Sequence, residues 1–271
     1  MRYLIIGMGA IGTYVGGSLS LSGESVIYLE RSEVAHRFVH RPLSVEMNGI
    51  EKPFLPELVT DSLDLVFRQY PVDVILVAVK SFDTPAVAEL LKPYRNQIPA
   101  VLSLQNGVEN EDVLREYLGS ERVIAGTLTS AVAKKESGKV ILEKKRGVGV
   151  AGGHPISQKI VNSFNQAGLN AILFSKEGDM KWSKLLTNLL ANASSAILDL
   201  TPAEIFADPR LFRVEAAQFR EAVRVMKNLS FQVVDLPGTP VRMLSFLFHH
   251  IPERLARLIA ARALAAGRGG K

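Results

Sequence analysis

The chain has 271 residues, of which 47% are hydrophobic and 22% are charged, and its formal net charge is +5 at pH 7. This composition is ordinary for a globular protein and allows a sizeable core. The sequence has no cysteine, which excludes disulfides and thiolate chemistry, and it has no apolar run near the roughly 20 residues of a membrane-spanning helix.

A short apolar run at residues 3–6 leads directly into the pattern G-x-G-x-x-G. The run is typical of a buried parallel strand, and the glycines of the pattern are Gly7, Gly9 and Gly12. In such a turn the first glycine allows the tight bend, the second lets the backbone approach a pyrophosphate, and the third lets the next helix pack closely. Because a helix N-terminus also attracts phosphate, the pattern predicts a dinucleotide site.

The next two elements complete this unit. Residues 13–23 predict a helix that ends at a Ser-Gly stop signal, and residues 25–29 predict a second strand. Glu30 and Arg31 then stand where the ribose of the cofactor should arrive. An acid there suits a free 2′-hydroxyl, whereas an arginine suits a 2′-phosphate. We expect NADP from Arg31, and Glu30 keeps NAD open.

Strand and helix signals continue to alternate toward the middle of the chain. Strands are predicted at residues 72–79, 100–104 and 123–126, and helices at residues 86–91 and 109–117. This alternation predicts a doubly wound parallel sheet, the Rossmann-type α/β architecture. Residues 139–142 and 147–150 predict further strands, which we expect to extend that sheet in an antiparallel or mixed manner.

After about residue 176 the pattern becomes helical. Helices are predicted at residues 180–198, 202–206, 214–228, 241–248 and 254–266. Thr201 is expected to cap the second of these, with Pro202 at its first position. We therefore expect a dinucleotide-binding domain over residues 1–176 and an all-helical substrate and dimerisation domain over residues 177–271.

Two polar residues follow predicted strands of the sheet. Lys80 ends the strand at residues 72–79, and Asn106 follows the strand at residues 100–104. Ligands of open α/β sheets bind outside the carboxyl ends of the strands, so both residues are candidates for a binding site. The alternative is that both are exposed loop residues, with Asn106-Gly107 simply forming a turn.

A second set of polar residues lies in the leucine-rich helix predicted at residues 180–198. Lys184, Asn188 and Asn192 are spaced i, i+4 and i+8, which places them on one slowly drifting face of a continuous helix. Asparagine is a poor helix former and needs hydrogen-bond partners when buried. The stripe could satisfy backbone groups or face water, but beside a dinucleotide site we favour a substrate pocket.

These residue types suit hydride transfer from a nicotinamide to a ketone. The cofactor brings the hydride, and the protein must stabilise the developing alkoxide and supply a proton. A lysine ammonium does both, and asparagine amides can donate hydrogen bonds to a carboxylate or hydroxyl.

The sequence resembles the ketopantoate reductases (2-dehydropantoate 2-reductases). The resemblance rests on the glycine pattern, Arg31, Lys80, Gln105-Asn106-Gly107, and Lys184 with its two asparagines. It implies a Rossmann domain followed by a helical domain like that of 6-phosphogluconate dehydrogenase. It also implies a cytoplasmic homodimer that reduces ketopantoate to pantoate with NADPH, on the route to pantothenate and coenzyme A.

The resemblance also implies roles for individual residues. Lys184 matches the catalytic lysine that protonates the alkoxide, and Asn106 matches a catalytic asparagine near the nicotinamide. Lys80 matches a residue that places cofactor and substrate, and Arg31 matches the 2′-phosphate reader. The residues expected to hold substrate are Asn188 and Asn192, and those of the cofactor loop are Gly7, Met8, Gly9, Ala10, Ile11 and Gly12.

Two departures from the family stand out. Glu30 is an acid where relatives are often apolar. The sequence as given stops at Gly269-Gly270-Lys271, where many relatives continue with a substrate-contacting serine and a glutamate in a terminal helix. We therefore expect a C-terminal segment to be missing from it.

Other functions are less well supported. We expect no nucleic-acid partner, because the basic residues do not interleave with aromatics in a recognisable module, and no membrane partner. We expect no metal site, since adjacent His249 and His250 point about 100° apart on a helix. The alternatives kept open are a reductase of another small 2-keto acid or imine, and a non-enzymatic NADP-binding regulator.

Overall fold

The computed structural model describes residues 1–265, which fall into two compact units. The first unit is Met1–Glu177, and the second begins at Gly178. The predicted end of the last helix at Ala266 and the glycine-rich stretch after it lie outside the described residues.

The first half of the first unit alternates short strands and helices. In chain order its elements are β1 (Arg2–Ile6), α1 (Ala10–Leu21), β2 (Ser25–Leu29), α2 (Ser32–Arg37), β3 (Leu43–Met47), β4 (Ile50–Phe54), β5 (Leu58–Thr60), α3 (Leu63–Gln69), β6 (Val74–Val77) and α4 (Thr84–Leu91). The second half continues with β7 (Val101–Ser103), α5 (Asn110–Leu118), β8 (Val123–Leu128), β9 (Ala131–Glu136), β10 (Lys139–Lys144), β11 (Val148–Ala151), α6 (Ser157–Gln166) and β12 (Ala171–Phe174).

An eight-stranded sheet organises this unit, in the order β12-β11-β8-β7-β6-β1-β2-β5. The six strands from β8 to β5 are parallel, and β1 lies among them with Leu4 opposite both Ile27 and Ile75. The adjoining strand β11 is antiparallel to β8 and parallel to β12. The predicted doubly wound α/β architecture is confirmed.

The central strand is buried because helices cover both faces of the sheet. Every residue from Tyr3 to Ile6 is at most 4% exposed. Leu4 and Ile6 pack in one cluster with Val87 of α4. Tyr3 lies on the other face, where its ring centroid is 6.1 Å from that of Phe164 in α6. Burial on both faces explains why this strand reads as an unbroken apolar run.

A separate four-stranded sheet, in the order β4-β3-β10-β9, packs on α1. A Cβ atom on Gly17 of α1 would lie 2.6 Å from a ring atom of Phe54 and from a methyl of Val45, so the glycine permits this close approach. The prediction that residues 139–142 extend the main sheet is wrong, because β10 pairs with β3 and β9 instead. The prediction for residues 147–150 is confirmed, since β11 extends the main sheet as an antiparallel strand.

In the described part of the second unit the regular elements are all helices, with a loop at residues 231–240. Its helices are α7 (Glu177–Leu189), α8 (Asn192–Leu198), α9 (Pro202–Ala207), α10 (Pro209–Asn228), α11 (Val241–His250) and α12 (Glu253–Ala265). The predicted start of α9 is confirmed, because the Thr201 hydroxyl accepts from the Glu204 N–H while the Glu204 carboxylate accepts from the Thr201 N–H. Such a capping box satisfies two donors that a helix start otherwise leaves free.

The predicted continuous helix over residues 180–198 is wrong. The helix is interrupted by a break between α7 and α8, where Ala191 has a left-handed φ of +60°. Lys184 and Asn188 share a face of α7, but Asn192 is the first residue of the next helix. The prediction that Lys184, Asn188 and Asn192 lie on one face of a single helix is therefore wrong for Asn192. The physical reason is a contact distant in sequence, since the Ala191 N–H donates to the Glu215 carboxylate instead of continuing the helix.

Within the described residues, no helix has the length and apolarity needed to cross a bilayer.

Candidate active site

The turn from β1 to α1 has no room for side chains at two of its glycines. A Cβ atom on Gly12 would lie 2.0 Å from the Gly7 carbonyl oxygen, and one on Gly7 would lie 2.8 Å from a methyl of Val79. Gly7 also adopts a φ of +99°, a conformation that other residues rarely adopt. Because neither glycine carries a Cβ atom, the start of α1 can lie directly against the end of β1.

The start of α1 is open to a ligand. A Cβ atom on Gly9 would meet nothing within 4 Å, and Gly9 caps a twelve-residue helix without a side-chain hydrogen bond. The first turn of α1 has no acidic residue. Its N–H groups and the positive end of the helix dipole are therefore suited to an anionic group from outside the chain.

A cleft of about 860 Å³ opens beside this turn, at the carboxyl ends of the parallel strands. It brings together most of the site residues predicted for the first unit: Gly7, Gly9, Ala10, Ile11, Arg31, Lys80 and Asn106. Met8 and Gly12 are not among the lining residues: the Met8 residue is 4% exposed, and Gly12 is buried within α1. The volume lies within the range of protein sites for small molecules and cofactors.

Part of the cleft lining is apolar and was not predicted as part of the site. It is formed by Ile6, Leu29, Val34, Ala86, Val87 and Leu90. Leu90 is 49% exposed, although a large aliphatic residue gains by burial. An apolar wall of this kind suits the flat face of an aromatic ring system.

Glu30 uses its carboxylate to hold the glycine-rich turn. One carboxylate oxygen accepts from the Met8 N–H at 2.7 Å, and the other accepts from the Arg31 N–H at 3.1 Å. The Glu30 N–H donates in turn to the Thr60 carbonyl oxygen at 2.9 Å. The acidic group at the end of β2 is thus already hydrogen-bonded to the protein backbone.

The charged groups that line the cleft are of both signs. Arg31 and Lys80 are exposed cations, and Glu30, Asp61 and Asp83 are anions in the same lining. Of the three carboxylates, only Glu30 accepts a backbone N–H from the glycine-rich turn. The positive features of the cleft are Arg31, Lys80 and the start of α1.

A buried glutamine links the two strand ends that bear Lys80 and Asn106. Gln105 is 2% exposed. Its side-chain amide donates to the Val79 carbonyl oxygen at 3.1 Å, to the Lys80 carbonyl oxygen at 3.3 Å and to the Thr84 hydroxyl at 2.8 Å. The end of β6 is thereby tied to the end of β7.

The same network continues to the backbone of Asn106. The Thr84 hydroxyl donates to the Asn110 side-chain oxygen at 3.0 Å, and the Asn110 amide donates to the Asn106 carbonyl oxygen at 2.8 Å. Buried networks of this kind rigidify the groups that they connect. The network therefore holds the backbone at Lys80 and Asn106 through the side chains of Gln105, Thr84 and Asn110.

The polar residues predicted for the helical unit lie on two helices. Lys184 and Asn188 are half-buried on α7, and Asn192 is exposed at the start of α8. The Lys184 carbonyl oxygen accepts from the Thr187 hydroxyl at 2.8 Å. A lysine and two amides within nine residues can together donate to a carbonyl, a hydroxyl or a carboxylate.

Comparison with known protein families assigns both units. The family described as "Ketopantoate reductase PanE/ApbA" matches residues 3–152, and the one described as "Ketopantoate reductase PanE/ApbA C terminal" matches residues 178–261. The chain belongs to the ketopantoate reductase family. It is thus a member of a family of dinucleotide-binding oxidoreductases.

Individual members of the ketopantoate reductase family are similar along most of the chain. The 2-dehydropantoate 2-reductase of Pyrococcus horikoshii is 29% identical over 230 residues, which cover 83% of this chain and 73% of that protein. The crystal structure of a PanE/ApbA family ketopantoate reductase from Ralstonia eutropha JMP134 matches with a TM-score of 0.78 and 25% identity, over 100% of this chain and 87% of that one.

A structure from outside the ketopantoate reductases by name shares the fold. The complex of D-mandelate dehydrogenase with NADH has a TM-score of 0.72 at 20% identity, and the match covers 96% of this chain and 80% of that one.

Sequence reasoning missed the residues that support the ketopantoate reductase cleft. Glu30 was weighed only as a ribose or phosphate contact, and Gln105 only as part of a Gln-Asn-Gly motif. Polarity gives one usable signal, because a glutamine directly after a buried strand must find partners if it too is buried. For Thr84 and Asn110 no local signal exists, since their roles depend on a network across three loops.

Proposed function

We propose that the chain reduces 2-dehydropantoate to pantoate with NADPH, as a step in pantothenate and coenzyme A biosynthesis. The observation that carries the proposal is the cleft, which gathers the glycine-rich turn, Arg31, Lys80 and Asn106 at one edge of the sheet. The names of the relatives support the substrate, since the Pyrococcus horikoshii protein is a 2-dehydropantoate 2-reductase.

The residues of the cleft fit a dinucleotide. The open surface over Gly9 and the uncapped start of α1 would hold the pyrophosphate. The apolar wall with Val34 and Leu90 would take the adenine ring. Arg31, exposed at the end of β2, would bind the 2′-phosphate of NADPH with its planar donor fork.

Glu30 supports rather than opposes the choice of NADPH. A free carboxylate at this place would repel a 2′-phosphate and attract a 2′-hydroxyl. The Glu30 carboxylate instead accepts from two backbone N–H groups, which spread its charge and hold it against the turn. Arg31 then supplies the nearby charge that a phosphate needs.

The proposed chemistry is reduction of the ketone with protonation of its oxygen. When bound, NADPH supplies the hydride to the carbonyl carbon. The Lys184 ammonium stabilises the alkoxide that forms and donates the proton to it. Asn106 is proposed to lie near the nicotinamide and to donate to the reacting carbonyl. Asn188 and Asn192 are proposed to hold the hydroxyl and carboxylate of the substrate, and Lys80 to hold cofactor and substrate in register.

A different 2-keto acid is the second candidate substrate. It is favoured by the shared fold with D-mandelate dehydrogenase, whose structure contains NADH. Fold alone does not determine substrate, so a panel of 2-keto acids with both nicotinamide cofactors distinguishes the two candidates. The homodimer and the cytoplasmic location stay predictions.

The test is oxidation of NADPH, followed by absorbance, with 2-dehydropantoate as substrate and NADH in a parallel assay. We expect turnover that prefers NADPH and that falls by about three orders of magnitude or more in Lys184→Ala, because general-acid and charge-stabilising roles are both lost. Near-normal turnover in Lys184→Ala would overturn the proposed mechanism. Preference for another keto acid in the panel would overturn the proposed substrate.

A further inference from the structure

The break between α7 and α8 separates residues that the proposed function places at one substrate. In an uninterrupted helix, residues eight apart lie about 12 Å apart along the axis and about 80° apart around it. The break at Ala191 changes this relation, because Asn192 starts a new helix. The position of Asn192 relative to Lys184 and Asn188 is therefore set by whatever fixes the break.

Glu215 of α10 makes the first set of contacts with the break. Its side chain is fully buried, and its carboxylate accepts from the Ala191 N–H at 2.7 Å and from the Ser194 hydroxyl. It also accepts from the Gln218 amide at 2.7 Å. Across the described part of the chain, no cation forms a salt bridge with Glu215, so three neutral donors stabilise a buried carboxylate.

Gln218 lies one turn further along α10 and makes the second set of contacts with the break. Its amide donates to the Leu189 carbonyl oxygen at 3.1 Å as well as to Glu215. Leu189 is the last residue of α7, and Ser194 lies in the first turn of α8. The two side chains thus hydrogen-bond to the end of one helix and to the start of the next.

We propose that Glu215 and Gln218 are positioning residues for the substrate site. They hold Ala191 in its left-handed conformation, which L-residues adopt at a cost, and thereby fix Asn192 relative to Lys184 and Asn188. The inference rests on the proposed function for the role of these three residues. The geometry of the break itself stands without it.

The variant that tests the proposal is Glu215→Gln, which keeps the size of the side chain and removes an acceptor oxygen. The new amide is neutral, and the Ser194 hydroxyl can turn to accept from its NH2 group, so the Ala191 N–H then donates to a neutral oxygen instead of a carboxylate, which is a weaker hydrogen bond. We expect the KM for 2-dehydropantoate to rise about tenfold or more, as for loss of a hydrogen bond to a charged group. The Kd for NADPH should stay within about twofold, because its proposed ligands belong to the first unit.

Glu221→Gln is the matched control. It is the same change on the same helix, at an exposed position, and we expect it to alter neither constant. Gln218→Ala removes the contact to Leu189 and keeps the buried carboxylate, so it carries the same test if Glu215→Gln does not fold. A substrate KM unchanged in both variants at position 215 and position 218 would overturn the proposal, as would an equal change in the NADPH Kd.

Hydrogen exchange of the Ala191 amide, followed by NMR without any substrate, gives a readout independent of activity. Exchange should be slow in the wild type and in Glu221→Gln, and at least about tenfold faster in Glu215→Gln, because the acceptor of this N–H is weakened. Unchanged exchange would overturn the structural role. If the wild type oxidises no NADPH with any keto acid, the proposed function fails and the substrate role fails with it, while exchange still decides whether Glu215 fixes the break.

Discussion

At the end of β2, Glu30 and Arg31 are neighbours with different partners. The Glu30 carboxylate is bonded to backbone N–H groups of the glycine-rich turn and of Arg31 itself. The Arg31 side chain is exposed in the lining of the cleft. The sequence alone places both charges at the same ribose. In the structure the two side chains differ, because the Glu30 carboxylate accepts hydrogen bonds from backbone N–H groups, whereas the Arg31 guanidinium is exposed in the cleft.

This difference predicts how cofactor preference responds to substitution. Arg31→Ala should raise the KM for NADPH by about tenfold to a hundredfold, since one charge-assisted contact to phosphate is lost. The KM for NADH should change by less than about threefold, because NADH has no 2′-phosphate. Steady-state kinetics with both cofactors measure the two constants. Equal losses with NADPH and NADH would contradict the assignment of Arg31 to the 2′-phosphate.

Among the elements, the loops after β6 and β7 depend on Gln105. Gln105→Leu gives a side chain of similar size without an amide, and it leaves two partly buried carbonyl oxygens and the buried Thr84 hydroxyl without their donor. We expect a loss of about 1–3 kcal/mol in the free energy of unfolding and weaker NADPH binding, because Lys80 and Asn106 lose a common support.

Thermal unfolding and NADPH titration measure these two effects. Gln158→Leu is the control, since Gln158 is an exposed glutamine on α6 whose side chain, among the residues described, donates only to Asn162 one turn away. Similar behaviour of the two variants would show that the network beneath the cleft has no special role.

The break between α7 and α8 predicts that two alanines respond differently to the same substitution. Ala191→Gly should change the free energy of unfolding by less than about 0.5 kcal/mol, because glycine adopts a left-handed φ without steric cost, and this gain offsets the loss of a fully buried methyl group. Ala196→Gly, at an exposed position within α8, should lower it by roughly 0.5–1 kcal/mol, as glycine does inside a helix. Denaturant unfolding compares the two variants, and a larger loss at position 191 than at position 196 would argue against a left-handed conformation at position 191.

How much the sequence predicts depends on the distance of the contacts. The elements β1 and β2 and the helix cap at Thr201 were predicted because their signals are local. The break at Ala191 was not, since leucine and alanine favour helix and its cause lies at Glu215. The pairing of β10 with β3 joins residues about a hundred positions apart, beyond any local pattern. One missed signal was local, because Asn48-Gly49, both with positive φ, form the hairpin turn between β3 and β4.

At the scale of the whole molecule, the residues proposed to bind NADPH and the residue proposed to protonate the substrate belong to different units. The residues proposed to bind NADPH all precede Glu177, and Lys184, Asn188 and Asn192 all follow Gly178. Cofactor affinity and catalysis should therefore be separable by substitution. A protein that binds NADPH at a hundred times its Kd gains about 2.7 kcal/mol of stability by mass action, so thermal unfolding reports cofactor binding even in a variant without turnover.

Lys184→Ala should keep the full rise in Tm with NADPH while losing turnover. Gly12→Ala should lose most of that rise, because its Cβ atom would lie 2.0 Å from the Gly7 carbonyl oxygen and would force the turn to move. Thermal scans with and without NADPH compare both variants with the wild type. Gly153→Ala is a control for glycine substitution in the first unit, since a Cβ atom there would meet nothing within 4 Å. If Lys184→Ala also lost the NADPH-dependent rise, the second unit would have to contribute to cofactor binding, and the proposed division would fail at its most direct point.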